Sequence, residues 1–154
     1  MTPLVVENPQ SLQEYVGQEI AVTAWFALTQ ERISQFAEVT EDRQWIHVDR
    51  ERAHRESPFG ATVAHGFLTL ALASHFLEQS LQIRSGIRLV VNYGLNRVRF
   101  PSPVRAESRI RGRCRLQSLD ARPGMVEAVF AMTVESEGGD KPCCVAEWVV
   151  RYYG

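Results

Sequence analysis

Apolar positions along the chain fall into patterns of different period, and each predicts a different kind of element. Residues 62–78, Thr-Val-Ala-His-Gly-Phe-Leu-Thr-Leu-Ala-Leu-Ala-Ser-His-Phe-Leu-Glu, are apolar on nearly every side and long enough for a helix. A helix of that kind has to be enclosed, so the remaining elements are expected to wrap it. Upstream, Ile33, Phe36 and Ala37 recur at three- and four-residue spacing within 30–39, with Thr29 placed to cap the helix and Glu31 near its positive end. Ser11-Leu-Gln-Glu14 has the capping-box form and Gly17 follows as a stop, which predicts a one-turn helix at 12–16. The charged stretch after His47 reads as a short surface helix that ends at the turn Ser57-Pro-Phe-Gly60.

Runs of β-branched and aromatic residues predict strands at 19–28, 87–93, 97–100, 105–118, 125–136 and 143–153. Gly94 and Asn96 mark a bulge or kink between the second and third of these runs. Asp120-Ala-Arg-Pro-Gly124 and Glu137-Gly-Gly-Asp140 are strong turn sequences, so the last three runs read as an antiparallel meander. The sum is an α+β domain with one antiparallel sheet and a helix on its concave face.

At 154 residues and 45% hydrophobic, the chain has the size and composition of one globular domain, residues 1–154. Seventeen basic against 18 acidic side chains leave a net charge of −1, which gives no general attraction to nucleic acid or to an anionic membrane. The first residues carry no charged n-region and no long apolar stretch, and the central apolar run is too short to span a bilayer and holds two histidines. A soluble, cytoplasmic protein is expected. Cys114, Cys143 and Cys144 form no metal or disulfide pattern and read as reduced packing residues.

The dense cluster of acid–base side chains is Glu41-Asp42-Arg43-Gln44-Trp45-Ile46-His47. An Asp and a His sharing one water molecule can move its proton in both directions, which suits hydration and dehydration. The spacing of Asp42 and His47 is also compatible with a chain-turning Asp and an ordinary histidine. Gly66 sits in the first turns of the long helix, where glycine costs about 1 kcal/mol relative to alanine. Two readings stand side by side: close packing of helix on strand, or close approach of a substrate oxygen to a backbone N–H. Arg109, Arg111, Arg113 and Arg115 alternate along one strand face, a solvated face in the first reading and a phosphate contact in the second. His54, His65 and His75 have no metal-binding spacing, and no glycine-rich cofactor motif occurs, so neither metal nor cofactor is expected. His65 and His75 read as histidines that satisfy polar contacts within the core.

Asp42-Arg-Gln-Trp-Ile-His47, Gly60-Ala-Thr-Val-Ala-His-Gly-Phe-Leu-Thr-Leu-Ala71 and Asn92-Tyr-Gly-Leu-Asn-Arg-Val-Arg-Phe-Pro101 together resemble the MaoC-type (R)-specific enoyl-CoA hydratases, in particular the nodulation-protein-N-like branch. The resemblance implies a hot-dog fold, a curved antiparallel sheet wrapped around a long central helix, commonly as a homodimer. It implies reversible hydration of trans-2-enoyl-CoA to (R)-3-hydroxyacyl-CoA, a hydro-lyase reaction. It places water activation on Asp42 and His47 and the thioester oxygen on the amide of Gly66, with Gln44, Asn92 and Asn96 as site support. The family often has Asn-Pro where this chain has Gln44-Trp45, so the acyl pocket is expected to differ. A hot-dog thioesterase and a non-catalytic acyl-thioester-binding subunit are the alternatives that fit the same fold.

Overall fold

The computed structural model describes residues 2–154, built in the order expected of an α+β domain. A short strand β1 (Leu4–Val6) leads into a 3-10 helix at Pro9–Tyr15. The cap of this helix is Asn8, whose side chain accepts from the Ser11 N–H at 3.0 Å, so the helix begins before the Ser11 box that predicted it. Pro9 explains the early start, since a fixed φ and a missing N–H suit a first helical position. The expected strand at 19–28 is broken into β2 (Glu19–Val22) and β3 (Phe26–Leu28). At the break, the Thr23 N–H donates to the Gly112 carbonyl at 2.8 Å and the Thr23 hydroxyl accepts from the Gly112 N–H at 2.9 Å.

Helix α1 (Gln30–Thr40) starts at its Thr29 cap, as expected. Two short helices follow, α2 (Trp45–Val48) and α3 (Arg50–Glu56), the second capped by Asp49. The central helix differs from its sequence reading in two ways. It begins at Gly66 rather than at residue 62, as α4 (Gly66–Ala71), and continues across Leu72 into α5 (Ala73–Ser80). Residues 62–65 stay extended because Val63 bridges Arg105, the Ala64 N–H donates to the Val104 carbonyl at 2.8 Å, and the Val63 N–H donates to the Ile46 carbonyl at 3.0 Å. Enclosure is also partial: Leu68, Thr69, Ala73, Phe76, Leu77 and Ser80 form a buried stripe, whereas Phe67 is 70% exposed.

The chain leaves α5 through β4 (Leu81–Ile83), which pairs in parallel with β1, a contact between distant short segments that no local pattern announces. Then come β5 (Leu89–Arg99), β6 (Ser108–Arg122), β7 (Met125–Ser136) and β8 (Cys144–Tyr153). The main sheet runs β2-β6-β7-β8-β5, antiparallel throughout, with β3 also on β6. The predicted bulge is present: with register shifts between Asn92 and Gly94, and again between Leu95 and Arg97, the two runs predicted at 87–93 and 97–100 form one strand, Leu89–Arg99. Curvature lets the sheet wrap α5, and this is the hot-dog arrangement.

The alternating arginines of β6 lie on the outer face, each with a partner. Arg111 pairs with Glu135 at 2.9 Å, Arg113 with Glu19 at 2.9 Å, Arg109 with Glu137, and Arg115 donates to the Gly17 carbonyl at 2.7 Å. That is the solvated cross-strand face of the first reading. The three cysteines are free and buried, and burial raises their thiols, Cys114 to about 12. No described helix is long and apolar enough to cross a membrane.

The helix seats on the sheet at Gly112. A Cβ there would lie 2.7 Å from Cβ of Phe76, too close for either backbone to ignore. Gly112→Ala should therefore lower stability by about 1–3 kcal/mol, the range of an overpacked core, read as a lower urea midpoint at unchanged m.

Candidate functional site

The end of α1 sets the position of the polar cluster. Glu41 closes the helix in the left-handed region at φ +62, the Thr40 hydroxyl donates to the Phe36 carbonyl at 2.6 Å, and Arg43 pairs with Glu38 at 2.9 Å and with Glu41. These contacts fold the 41–44 loop back against the helix that precedes it. Asp42 is exposed on that loop, with its carboxyl 3.5 Å from the Gln44 N–H. His47 follows on α2 and is buried.

The ring of His47 has a defined tautomer. Its Nδ1 lies 2.7 Å from the Val63 carbonyl, which can only accept, so Nδ1 carries the hydrogen and Nε2 is left as a bare acceptor. Gln30 holds the same region from behind: its amide N–H donates to the His47 carbonyl at 2.7 Å, and its oxygen accepts from the Thr62 hydroxyl. Burial holds His47 below the ordinary histidine value, opposed by its bond to Val63; nearby His65 lowers it further and the Asp42 carboxylate raises it. Neutral His47 is thus the resting form near pH 7.

His65 is brought to this pair although sequence spacing placed it apart. Its Nε2 donates to the Asp42 carbonyl at 2.9 Å, and its ring stacks on that of His47 with centroids 3.8 Å apart and planes 24° from parallel. Asp42, His47 and His65 offer donor atoms that all lie within 4.8 Å of one another. Three such donors have the composition of a metal site, but near-parallel stacked rings aim their in-plane lone pairs side by side rather than at one point about 2 Å away.

Beside them is a cavity of about 440 Å³ whose walls include Ile46, His47, Phe59, Val63, Gly66 and Phe100. Gly66 is the first residue of α4, where a backbone N–H has no partner within the helix. A Cβ on Gly66 would lie 3.1 Å from the Phe100 ring, so close packing accounts for the glycine whatever else it does. His47 and Gly66 therefore share one cavity, with Asp42 alongside. Gln44 reaches Asp42 through its main chain while the residue itself is exposed. Asn92 and Asn96 are not brought to this cavity within one chain. Asn92 lines a separate groove of about 300 Å³ with Ser74, Leu77 and Trp148, and Asn96 is exposed on β5.

Residues 11–139 match the model of the MaoC-like domain. The chain belongs to the MaoC-like dehydratase family. It is 46% identical over 147 residues to 3-hydroxyacyl-thioester dehydratase Z of Mycobacterium tuberculosis, covering 95% of this chain and 96% of that protein. It is 43% identical over 139 residues to nodulation protein N of Rhizobium meliloti, covering 87% and 84%. Among solved structures, the unliganded R-hydratase of Pseudomonas aeruginosa shares the fold at a TM-score of 0.72 and 24% identity, covering 93% of this chain and 83% of that one.

Family membership makes the chain a hydro-lyase of the dehydratase type. Within this MaoC-like domain the Gln44-Trp45 departure has little direct reach into the cavity. Trp45 is not among its walls, and the guanidinium of Arg52 lies over its ring at 4.4 Å. Sequence reasoning missed Gln30 and His65 as site supports, since nothing local distinguishes a buried Gln in a helix or a core histidine from any other. Their one signal was polarity on buried faces. The packing reading of Gly66 can be checked by a double-mutant cycle. Gly66→Ala alone should destabilise, Phe100→Ala should relieve that loss, and thermal or urea unfolding should give a coupling of about 0.5 kcal/mol or more.

Proposed function

We propose that this chain is an (R)-specific enoyl-CoA hydratase, adding water reversibly to trans-2-enoyl-CoA to give (R)-3-hydroxyacyl-CoA. The observation that carries the reading is a buried His47 whose Nδ1 is held by the Val63 carbonyl, with a ring nitrogen within 4.8 Å of an Asp42 carboxylate oxygen, at a cavity that Gly66 at the start of α4 also lines. In the forward direction the thioester oxygen sits on the Gly66 N–H, which stabilises the enolate formed as water oxygen bonds to C3. Nε2 of His47 takes one proton from that water. The Asp42 carboxylate holds the water, accepts that proton from the His47 imidazolium and delivers it to C2, which leaves both groups as they began. Water is consumed whole, with OH on C3 and H on C2. The name of the Mycobacterium tuberculosis relative, a 3-hydroxyacyl-thioester dehydratase, supports the same chemistry in the opposite direction.

A thioesterase would release free thiol from the same esters, and a non-catalytic binding subunit would hold them without turnover. Assays on a panel of trans-2-enoyl-CoA esters, following the enoyl double bond and free thiol separately and scoring product stereochemistry, should show loss of the double bond, no thiol and the (R) alcohol. Thiol release or an (S) product would overturn the proposal.

Asp42→Asn and His47→Gln should each lower kcat on crotonyl-CoA by about 10²–10⁴-fold with the fold retained, the range for losing a general acid or base. In the unmodified protein kcat/KM should hold as pH falls through the ordinary histidine value of 6.5 and drop only at more acid pH. The sign follows from burial lowering His47, which keeps the proton-accepting form populated further into acid.

We infer further that two copies pair through β5. It is an outer strand of the sheet and carries Val90, Tyr93 and Leu95 at 51, 57 and 45% exposure, an apolar edge that a monomer leaves open to water. Asn92 and Asn96 belong to that edge. Light scattering should give about twice the 17.4 kDa of one chain, and Leu95→Lys should reduce it to one.

A further inference from the structure

His65 carries two costs that a merely structural residue would avoid. It occupies the cap position of α4 yet makes no side-chain cap bond, where Ser, Thr, Asp or Asn would. Its Nδ1 is buried without a partner, the one such side-chain atom among the described residues. In exchange, the side chain makes two contacts. Nε2–H donates to the Asp42 carbonyl, and one ring face lies on His47, with the Phe36 ring packed nearby at 5.0 Å. His65 is not among the walls of the 440 Å³ cavity, so it touches the chemistry only through these neighbours. It also directly precedes Gly66 in the chain, which ties the first amide of α4 to both of them.

We propose that His65 is a positioning residue: it pins the Asp42 main chain through Nε2–H and fixes the plane of the His47 ring, holding Asp42, His47 and the Gly66 amide in one register. The proposal rests on the hydratase reading above. The titratable groups against the His65 ring are His47 from α2 and the Asp42 carboxyl from the 41–44 loop; α1 contributes Phe36, while Glu38, Glu41 and Arg43 pair with one another on the exposed side of the loop. Removing the ring admits water to the His47 face, reversing part of the burial that holds His47 low.

The test compares three variants on crotonyl-CoA, with thermal unfolding to confirm the fold. His65→Gln keeps an N–H donor without the ring face, His65→Phe keeps the ring face without the donor, and His65→Ala loses both. His65→Ala should lose about 10–100-fold in kcat with KM nearly unchanged, as expected of misplaced groups. Gln and Phe should each recover part of the loss. The acid limb of kcat/KM should move to higher pH in His65→Ala. Wild-type kcat and an unmoved acid limb in a folded His65→Ala protein would overturn the proposal. A second measurement needs no substitution: imidazole ¹⁵N shifts of the unmodified protein should give the Nε2–H tautomer for His65 and the Nδ1–H tautomer for His47. An Nδ1–H tautomer at His65 would also sink it. Loss of activity in the Asp42 and His47 variants but not in those of His65 would reject this inference alone. Full activity in the Asp42 and His47 variants would reject the hydratase reading, and the tautomer would still decide whether His65 pins Asp42.

Discussion

The candidate site depends on one short hydrogen bond, from Nδ1–H of His47 to the carbonyl of Val63. It leaves Nε2 as the acceptor, and it joins α2 to the extended segment just before the central helix. That carbonyl is free to accept because residues 62–65 are not helical. They are tied across to Ile46, Val104 and Arg105 by backbone contacts, so the helix starts only at Gly66. One backbone geometry thus supplies the partner for His47 and leaves an unpaired amide at the start of α4. Gln30 closes the loop, binding the carbonyl of His47 and the hydroxyl of Thr62 through the two ends of a single side chain. Three segments separated in sequence are held by a buried amide whose donor and acceptor are both satisfied.

The sheet supplies the rigid frame for this arrangement. Phe76 of α5 lies on Gly112 of β6, where a Cβ would have no room, and β5 with its register shifts ends at Arg99, one residue before Phe100. Phe100 then packs against Gly66 and forms a wall of the cavity. The outer face needs no core function and carries its arginines and glutamates in cross-strand pairs. These are worth little singly and serve mainly to keep a long strand soluble.

Period and turn chemistry made the meander, the α1 helix and the bulge at Gly94 legible, because each is decided by neighbours in sequence. The start of the central helix was not legible. Thr62, Val63 and Ala64 are apolar or small enough to continue a helix, and only contacts with residues 46 and 104–105 hold them extended. Asp42 and His47 stood out as titratable residues in a polar loop. Which of them is buried was hidden, as was the meeting of His47 with His65 across 18 positions of sequence. The chemistry proposed for them drew on the family resemblance more than on spacing. Asn92 and Asn96 matched a motif and lie on an outer strand, since a motif read along one chain does not say which side of a sheet its residues reach.

In the proposed hydratase cycle, the contrast between an exposed Asp42 and a buried His47 bears on reversibility. Burial destabilises the imidazolium that forms when His47 takes a proton, which favours passing that proton on, and the solvated Asp42 carboxylate within 4.8 Å is placed to receive it. If both groups were buried, the charge would have no cheap resting place. If both were exposed, His47 would titrate at its ordinary value and the water would face competition from bulk solvent. Hydration and dehydration differ in which of the pair begins as acid and which as base, so a proton that moves readily between them serves either direction. The stacked ring of His65 contributes by excluding water from one face of His47 while leaving Nε2 free.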